Sequence, residues 1–133
     1  MGMISCYPVL MTADVAQAAE FFRTHFGFRT TFEADWYVSL THDGGELAVL
    51  DHRHSTVPTG FGVEVAGTLV NLEVDDVDAM YHRLVVDGPL EAVLDLRSEA
   101  FGQRHFIVRG PGASLVDVIA EIAPEGEYAA AFA

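Results

Sequence analysis

The most constraining feature of this chain is a motif that occurs twice. A short apolar run, Pro8 to Met11, reaches Asp14, and an amphipathic segment follows that stops at Gly27. Sixty-two positions later, Val70 to Val74 runs into Asp76, and a second amphipathic segment stops at Gly88. Asp14-Val15 and Asp76-Val77 are in register across that offset. A strand–helix start repeated in so short a chain predicts two similar halves facing each other.

The residues between these landmarks predict the same order of elements in each half. Ile4 to Met11 reads as a strand, with Asp14 as the N-cap of a helix whose stripe is Val15, Ala18, Ala19, Phe22 and Phe26. Gly27 suits the left-handed residue that ends such a helix. Phe28 to Glu33, Trp36 to Thr41 and Glu46 to Leu50 read as three further strands, the last two joined by the turn His42-Asp43-Gly44-Gly45. After a glycine- and proline-bearing connector, Leu69 to Val74 is a strand, and Asp76 caps a helix with Val77, Met80, Tyr81 and Leu84 on its inner side, ending at Gly88-Pro89. Glu91 to Leu96, Gln103 to Arg109 and Ser114 to Ile122 complete the second half, and Arg97-Ser98-Glu99 is expected to open a loop. The prediction is an α+β chain of two βαβββ modules, a curved mixed sheet around a cleft with helices outside. One domain covers 1–133, with modules at 4–60 and 66–123 and a tail at 124–133.

Charge narrows the partners. Twenty acidic residues against seven basic ones give a net charge of −13, with no basic stripe to release counterions from phosphates. Nucleic acid and anionic membrane are therefore excluded as expected partners. No apolar run approaches the ~18 residues a membrane span needs, and no secretory leader pattern is present, so a cytoplasmic location is expected. The single cysteine, Cys6, lies in the first expected strand and is expected to be a buried, inert thiol.

Particular residues carry a resemblance to a known superfamily. They are Asp14-Val15, Phe21-Phe22 and Gly27-Phe28 in the first half. In the second they are Val74 to Val77, Phe101 to Phe106, Gly110-Pro111 and Val116-Asp117-Val118. From Tyr7 to Ile122 the chain resembles the vicinal oxygen chelate superfamily, which includes glyoxalase I, extradiol dioxygenases, fosfomycin resistance enzymes and bleomycin-resistance binding proteins. In the enzymes of that superfamily each half supplies metal ligands from its first and last strands. The matching positions are Tyr7, Leu50, Leu69 and Asp117. Leucine has no lone pair to offer a divalent ion, so the resemblance implies the scaffold without its metal site, and no cofactor is expected.

Strand alternation supplies candidates for the cleft. If the first helix packs on Leu10 and Thr12, the opposite face carries Tyr7, Val9 and Met11; by the same reasoning Tyr37 and Ser39 share it. In the second half the corresponding set is Leu69, Asn71, Glu73, His105, Ile107, Leu115, Asp117 and Ile119, with Leu50 at the first half's family position. Tyr7, Trp36, Tyr37, Phe101 and His105 are expected to stack on and shape a small, aromatic ligand. Asn71, Glu73 and Asp117 are expected to orient its polar or cationic groups. The reading that follows is a metal-independent binding protein resembling the bleomycin-resistance branch, which sequesters an aromatic antibiotic or metabolite, cationic ones included, in its cleft and acts as a homodimer. The alternative is a metal-dependent lyase, isomerase or dioxygenase with an atypical site on Asp117, Glu73 and His105. His52-Arg53-His54 is a third, weaker arrangement of metal-ligand type.

Overall fold

The computed structural model describes residues 2–131, so the last two residues of the expected tail lie outside the described part. The chain divides into two compact units. The first comprises the chain up to Ala66 with Gly110–Ala113; the second comprises Gly67–Arg109 and the residues from Ser114 onward.

The first unit runs β1 (Val9–Thr12), α1 (Val15–Phe26), β2 (Arg29–Glu33), β3 (Tyr37–His42) and β4 (Gly45–Asp51), in a sheet of order β1-β4-β3-β2. Asp14 caps α1 by accepting from Gln17 N–H at 3.0 Å, and Gly27 ends it at φ +70°, where a side chain would be strained. The helix buries Val15, Ala18, Ala19, Phe22 and Phe26, and it packs on β3 and β4. Beneath it lie Leu10, Thr12, Val38, Leu40, Leu47 and Val49, all nearly solvent-free. Burying a Phe or Leu side chain stabilises by about 1.5–3 kcal/mol, so this layer sets which way each strand faces.

β1 is shorter than its apolar sequence predicts. Its parallel register with β4 begins at Val9 opposite Ala48, and Pro8 contributes only its carbonyl, which accepts from Ala48 N–H. Proline has no N–H to extend the ladder. Ile4 and Cys6 are consequently exposed outside any strand, and the expectation of a buried Cys6 thiol is corrected.

The second unit runs β5 (Ala66–Glu73), α2 (Val77–Tyr81), β6 (Ala92–Glu99), β7 (Gln103–Arg109) and β8 (Ala113–Glu121), in a sheet of order β5-β8-β7-β6. The βαβββ order thus occurs in both units. Asp76 caps α2 through Ala79 N–H. The helical path then loosens into a π turn over His82–Val86 instead of running regularly to Gly88. Gly88 lies against the carbonyls of Arg83 and Leu84, where an added Cβ would collide with backbone. Tyr81 packs edge-on against Phe106, so Phe106, Val108, Val116 and Val118 form the layer under the helix. Arg97, Ser98 and Glu99 do not open a loop; they continue β6 opposite His105, Arg104 and Gln103. The tail forms a 3₁₀ turn over Gly126–Ala130.

Candidate functional site

The face of the first sheet turned away from α1 follows from strand alternation. Val38 and Leu40 are buried under the helix, so Tyr37, Ser39 and Thr41 point the other way. The antiparallel register sets them opposite Leu50, Ala48 and Glu46, and the parallel register sets Met11 beside Leu50 and Val9 beside Ala48. This face therefore reads, strand by strand, as an aliphatic patch grading into hydroxyls and ending at one carboxylate.

A cavity of about 200 Å³ opens there, lined by Tyr7, Thr31, Ser39, Leu40, Thr41, Glu46 and Leu47. Burial raises the Tyr37 phenol above its ordinary value; Ser39 opposes that rise and the neighbouring Tyr7 phenol adds to it. Tyr7, Tyr37 and Ser39 thus form one group of hydroxyls at the cavity's edge, with Phe32 6.2 Å from Tyr37 between ring centres. Trp36 adjoins this group, its ring centre 5.6 Å from that of Tyr37. Its indole stacks on His54 at 3.8 Å with the rings 8° from parallel, so one of its faces is already covered. His54 also meets Thr56 Oγ1 at 3.0 Å through Nδ1, while Arg53 pairs with Asp51. Arg53 and His54 are spent on these local contacts, whereas His52 Nδ1 is buried without a hydrogen-bond partner among the described residues. Among the described residues no group of three or more His, Cys, Asp or Glu is placed to hold a metal ion.

The second sheet presents a different kind of face. His105 is only 6% exposed and stands between two carboxylates: Nδ1 lies 2.8 Å from Asp117 Oδ1, and Nε2 lies 2.8 Å from Glu99 Oε2. Arg97 Nε donates to the same Glu99 oxygen at 2.7 Å. Asp117, 7% exposed, is the inner end of this chain and Arg97 the solvent-facing outer end. Burial by itself would lower the imidazole's pKa, but the hydrogen bonds and charges of Glu99 and Asp117 outweigh it and leave His105 raised. His105 and Arg97 in turn hold the Glu99 carboxyl below its ordinary value. The two carboxylates favour the protonated imidazole, and in that form both nitrogens donate and no lone pair is left for a metal or a substrate proton.

Other candidates of the second unit lie apart from this chain of contacts. Leu69 is 55% exposed, and Asn71 and Glu73 are exposed too, alternating with half-buried Val70 and Leu72 along β5. Asp117 is bonded to His105 rather than to Glu73. Phe101 sits in the turn between β6 and β7, its ring edge-on to Tyr128 at 6.2 Å. Arg104 pairs with Asp78 at 2.8 Å.

Two residues at these faces escape a reading by segment. Glu46 shares parity with Leu50, four positions on, so alternation along β4 was the signal for it. Glu99 becomes visible only if β6 is carried past Leu96, where a run of polar residues resembles a loop.

The positions at which the superfamily's enzymes place metal ligands do not fit a divalent ion here. Leu50 is fixed by its register opposite Tyr37, while Asp51, the nearest oxygen donor, pairs in the ladder with Thr12 and bonds Arg53. Leu69 offers only hydrocarbon, and Asp117 is engaged by His105.

Comparison with known proteins agrees with this architecture. Residues 6–118 match the family described as the Glyoxalase/Bleomycin resistance protein/Dioxygenase superfamily. No functionally curated protein matches the sequence. Among solved structures the chain is similar to TioX from Micromonospora sp. ML1, at 22% identity and TM-score 0.71, over 89% of this chain and 99% of that one. It is similar to a lactoylglutathione lyase from Agrobacterium tumefaciens, at 18% identity and TM-score 0.68, over 90% and 96% of the two chains. It is also similar to the bleomycin-binding protein of bleomycin-producing Streptomyces verticillus, in a complex with copper(II)-bleomycin. There the identity is 20% and the TM-score 0.58, over 90% of this chain and 98% of that one. At these identities the likeness is one of fold.

Proposed function

The chain belongs to the glyoxalase/bleomycin resistance protein/dioxygenase superfamily, and from that premise we propose that it is a small-molecule binding protein that holds an aromatic ligand on its first sheet without a metal ion. The observation that carries this reading is the cavity edged by Tyr7, Tyr37 and Ser39, where aromatic surface, hydroxyls and a carboxylate converge. Such mixtures of apolar wall and a few placed polar groups suit small-molecule sites. The bleomycin-binding protein, whose structure holds copper(II)-bleomycin, supports small-molecule binding as a use of this fold.

Metal-dependent lyase, isomerase or dioxygenase chemistry is the less favoured reading, because the donor set at the superfamily's positions includes two leucines. A pair of chains related by a two-fold axis is the proposed assembly, the commonest form of soluble oligomer, and the mass in solution checks it.

The test is a thermal-shift screen of flat aromatic compounds in the presence of a chelator, followed by affinity measurement on the best binder. Tyr37→Ala is expected to weaken that binder by about 1–2 kcal/mol, the loss of one aromatic contact. Chelator is expected to leave the affinity unchanged. Affinity that is unaltered by Tyr37→Ala, or abolished by chelator, contradicts the proposal.

A further inference from the structure

Taking the first sheet's face as the ligand site, we propose that the cavity at its Glu46 end receives the primary ammonium group of an arylalkyl amine. The reason lies in how the hydroxyl protons are spent. Thr41 Oγ1 donates to the Gly45 carbonyl at 3.3 Å, and Thr31 Oγ1 donates, at the long distance of 3.5 Å, to the Ser39 carbonyl. A hydroxyl has one proton and two lone pairs, so each of these groups, once it has donated, presents acceptors to the cavity. Glu46, directly opposite Thr41 in the register, adds a carboxylate that accepts only. It is exposed, and its carboxylate has no hydrogen bond or ion pair among the described residues. The Glu46 end of the wall therefore offers mainly acceptors, while the Ser39 and Tyr7 hydroxyls, also in the lining, hydrogen-bond with Tyr37.

An occupant of such a wall must bring donors. A primary ammonium brings three N–H groups on one compact centre, matching the carboxylate and the two threonine hydroxyls. A quaternary ammonium has no N–H to give. A carboxylate or phosphate would meet Glu46 with like charge, in a chain whose net charge is already −13.

Size fixes how much of the ligand enters. The cavity's ~200 Å³ is below the roughly 300–1,000 Å³ of pockets that enclose a drug-sized molecule. It has room for one ring and a short alkyl stem, since a cavity of about 150 Å³ already admits benzene, with the ammonium at the Glu46 end and the ring toward Tyr7 and Tyr37.

The experiment uses three probes of one shape, 2-phenylethylamine, 2-phenylethanol and 3-phenylpropionate. Each is titrated into the whole protein at neutral pH and low salt, with binding followed by calorimetry and by backbone amide shifts. The amine is expected to bind about tenfold more tightly than the alcohol, the scale of one charge-assisted hydrogen bond, and the carboxylate more weakly than either. Glu46→Gln, at an exposed position, is expected to remove the amine's advantage and bring the affinities of amine and alcohol together. Equal binding of amine and alcohol, or an amine affinity that Glu46→Gln does not move, overturns the ammonium assignment while the aromatic reading stands. Absence of binding by all three, with the amides of Ser39 to Leu47 unshifted, overturns both.

Discussion

The two units use one succession of elements to opposite ends. On the first sheet the face away from α1 keeps its polar groups available: Ser39, Thr41 and Glu46 surround a cavity, and Tyr7 and Tyr37 edge it. On the second sheet Arg97, Glu99, His105 and Asp117 answer one another in a run of alternating charge, each within 2.8 Å of the next. A face whose donors and acceptors are satisfied internally has little to offer a ligand, and one whose acceptors lack donors has a reason to bind one. The comparison teaches that repetition of a fold does not repeat its site. The sheet face away from the helix has become a receptacle in one half and a structural tie in the other.

The largest expected effect comes from breaking the tie. Asp117→Ala removes one of the two carboxylates that flank the buried His105 imidazole and is expected to cost about 3 kcal/mol in urea unfolding, near the lower end for a broken buried pair because Glu99 remains. A loss below about 0.5 kcal/mol, the range of an ordinary surface substitution, contradicts the structural role.

The pH dependence of stability sharpens the same contrast. His105 is raised in the folded protein, so its contribution is complete below the unfolded imidazole value of about 6.5 and is lost as pH rises through the raised folded value. Glu99 is lowered, so its contribution is complete above about 4.5 and is lost as pH falls through its depressed folded value. Urea midpoints measured from pH 5 to 9 are expected to decline on the alkaline side. His105→Gln, which cannot titrate, is expected to flatten that decline, and an unchanged slope in the variant assigns it to another group.

Smaller effects separate the units by their helices. Asp14→Ala removes the cap of the twelve-residue α1 and is expected to cost about 1 kcal/mol in thermal or urea unfolding. Arg104→Ala breaks an exposed pair with Asp78 on the second unit and is expected to cost no more than about 1 kcal/mol. A larger loss at Arg104 than at Asp14 reverses that ranking.

Much of this arrangement is legible in the sequence, and the rest is hidden for identifiable reasons. The doubled Asp-Val start and the stopping glycines announce two βαβββ units, because caps and apolar stripes are local signals. The orientation of β3 follows from Val38 and Leu40 alternating with Tyr37 and Ser39, since a period of two leaves no third choice. The early end of β1 is not legible: Ile4 and Cys6 look like strand residues, but a strand needs a neighbour, and the ladder with β4 starts at Val9. Glu99 is hidden for the converse reason. Arg97-Ser98-Glu99 is polar enough to read as loop, yet the register with β7 carries it on as strand and brings Glu99 to His105. Pairing between distant segments decides both cases, and propensity within a segment does not.

The most direct test of the contrast between the faces is a residue-by-residue amide shift map of the labelled protein, titrated with 2-phenylethylamine in the presence of chelator. The account predicts shifts concentrated on Tyr37 to Leu50, with Arg97, Glu99, His105 and Asp117 unmoved. Shifts centred on His105 and Asp117, with the first sheet silent, contradict it.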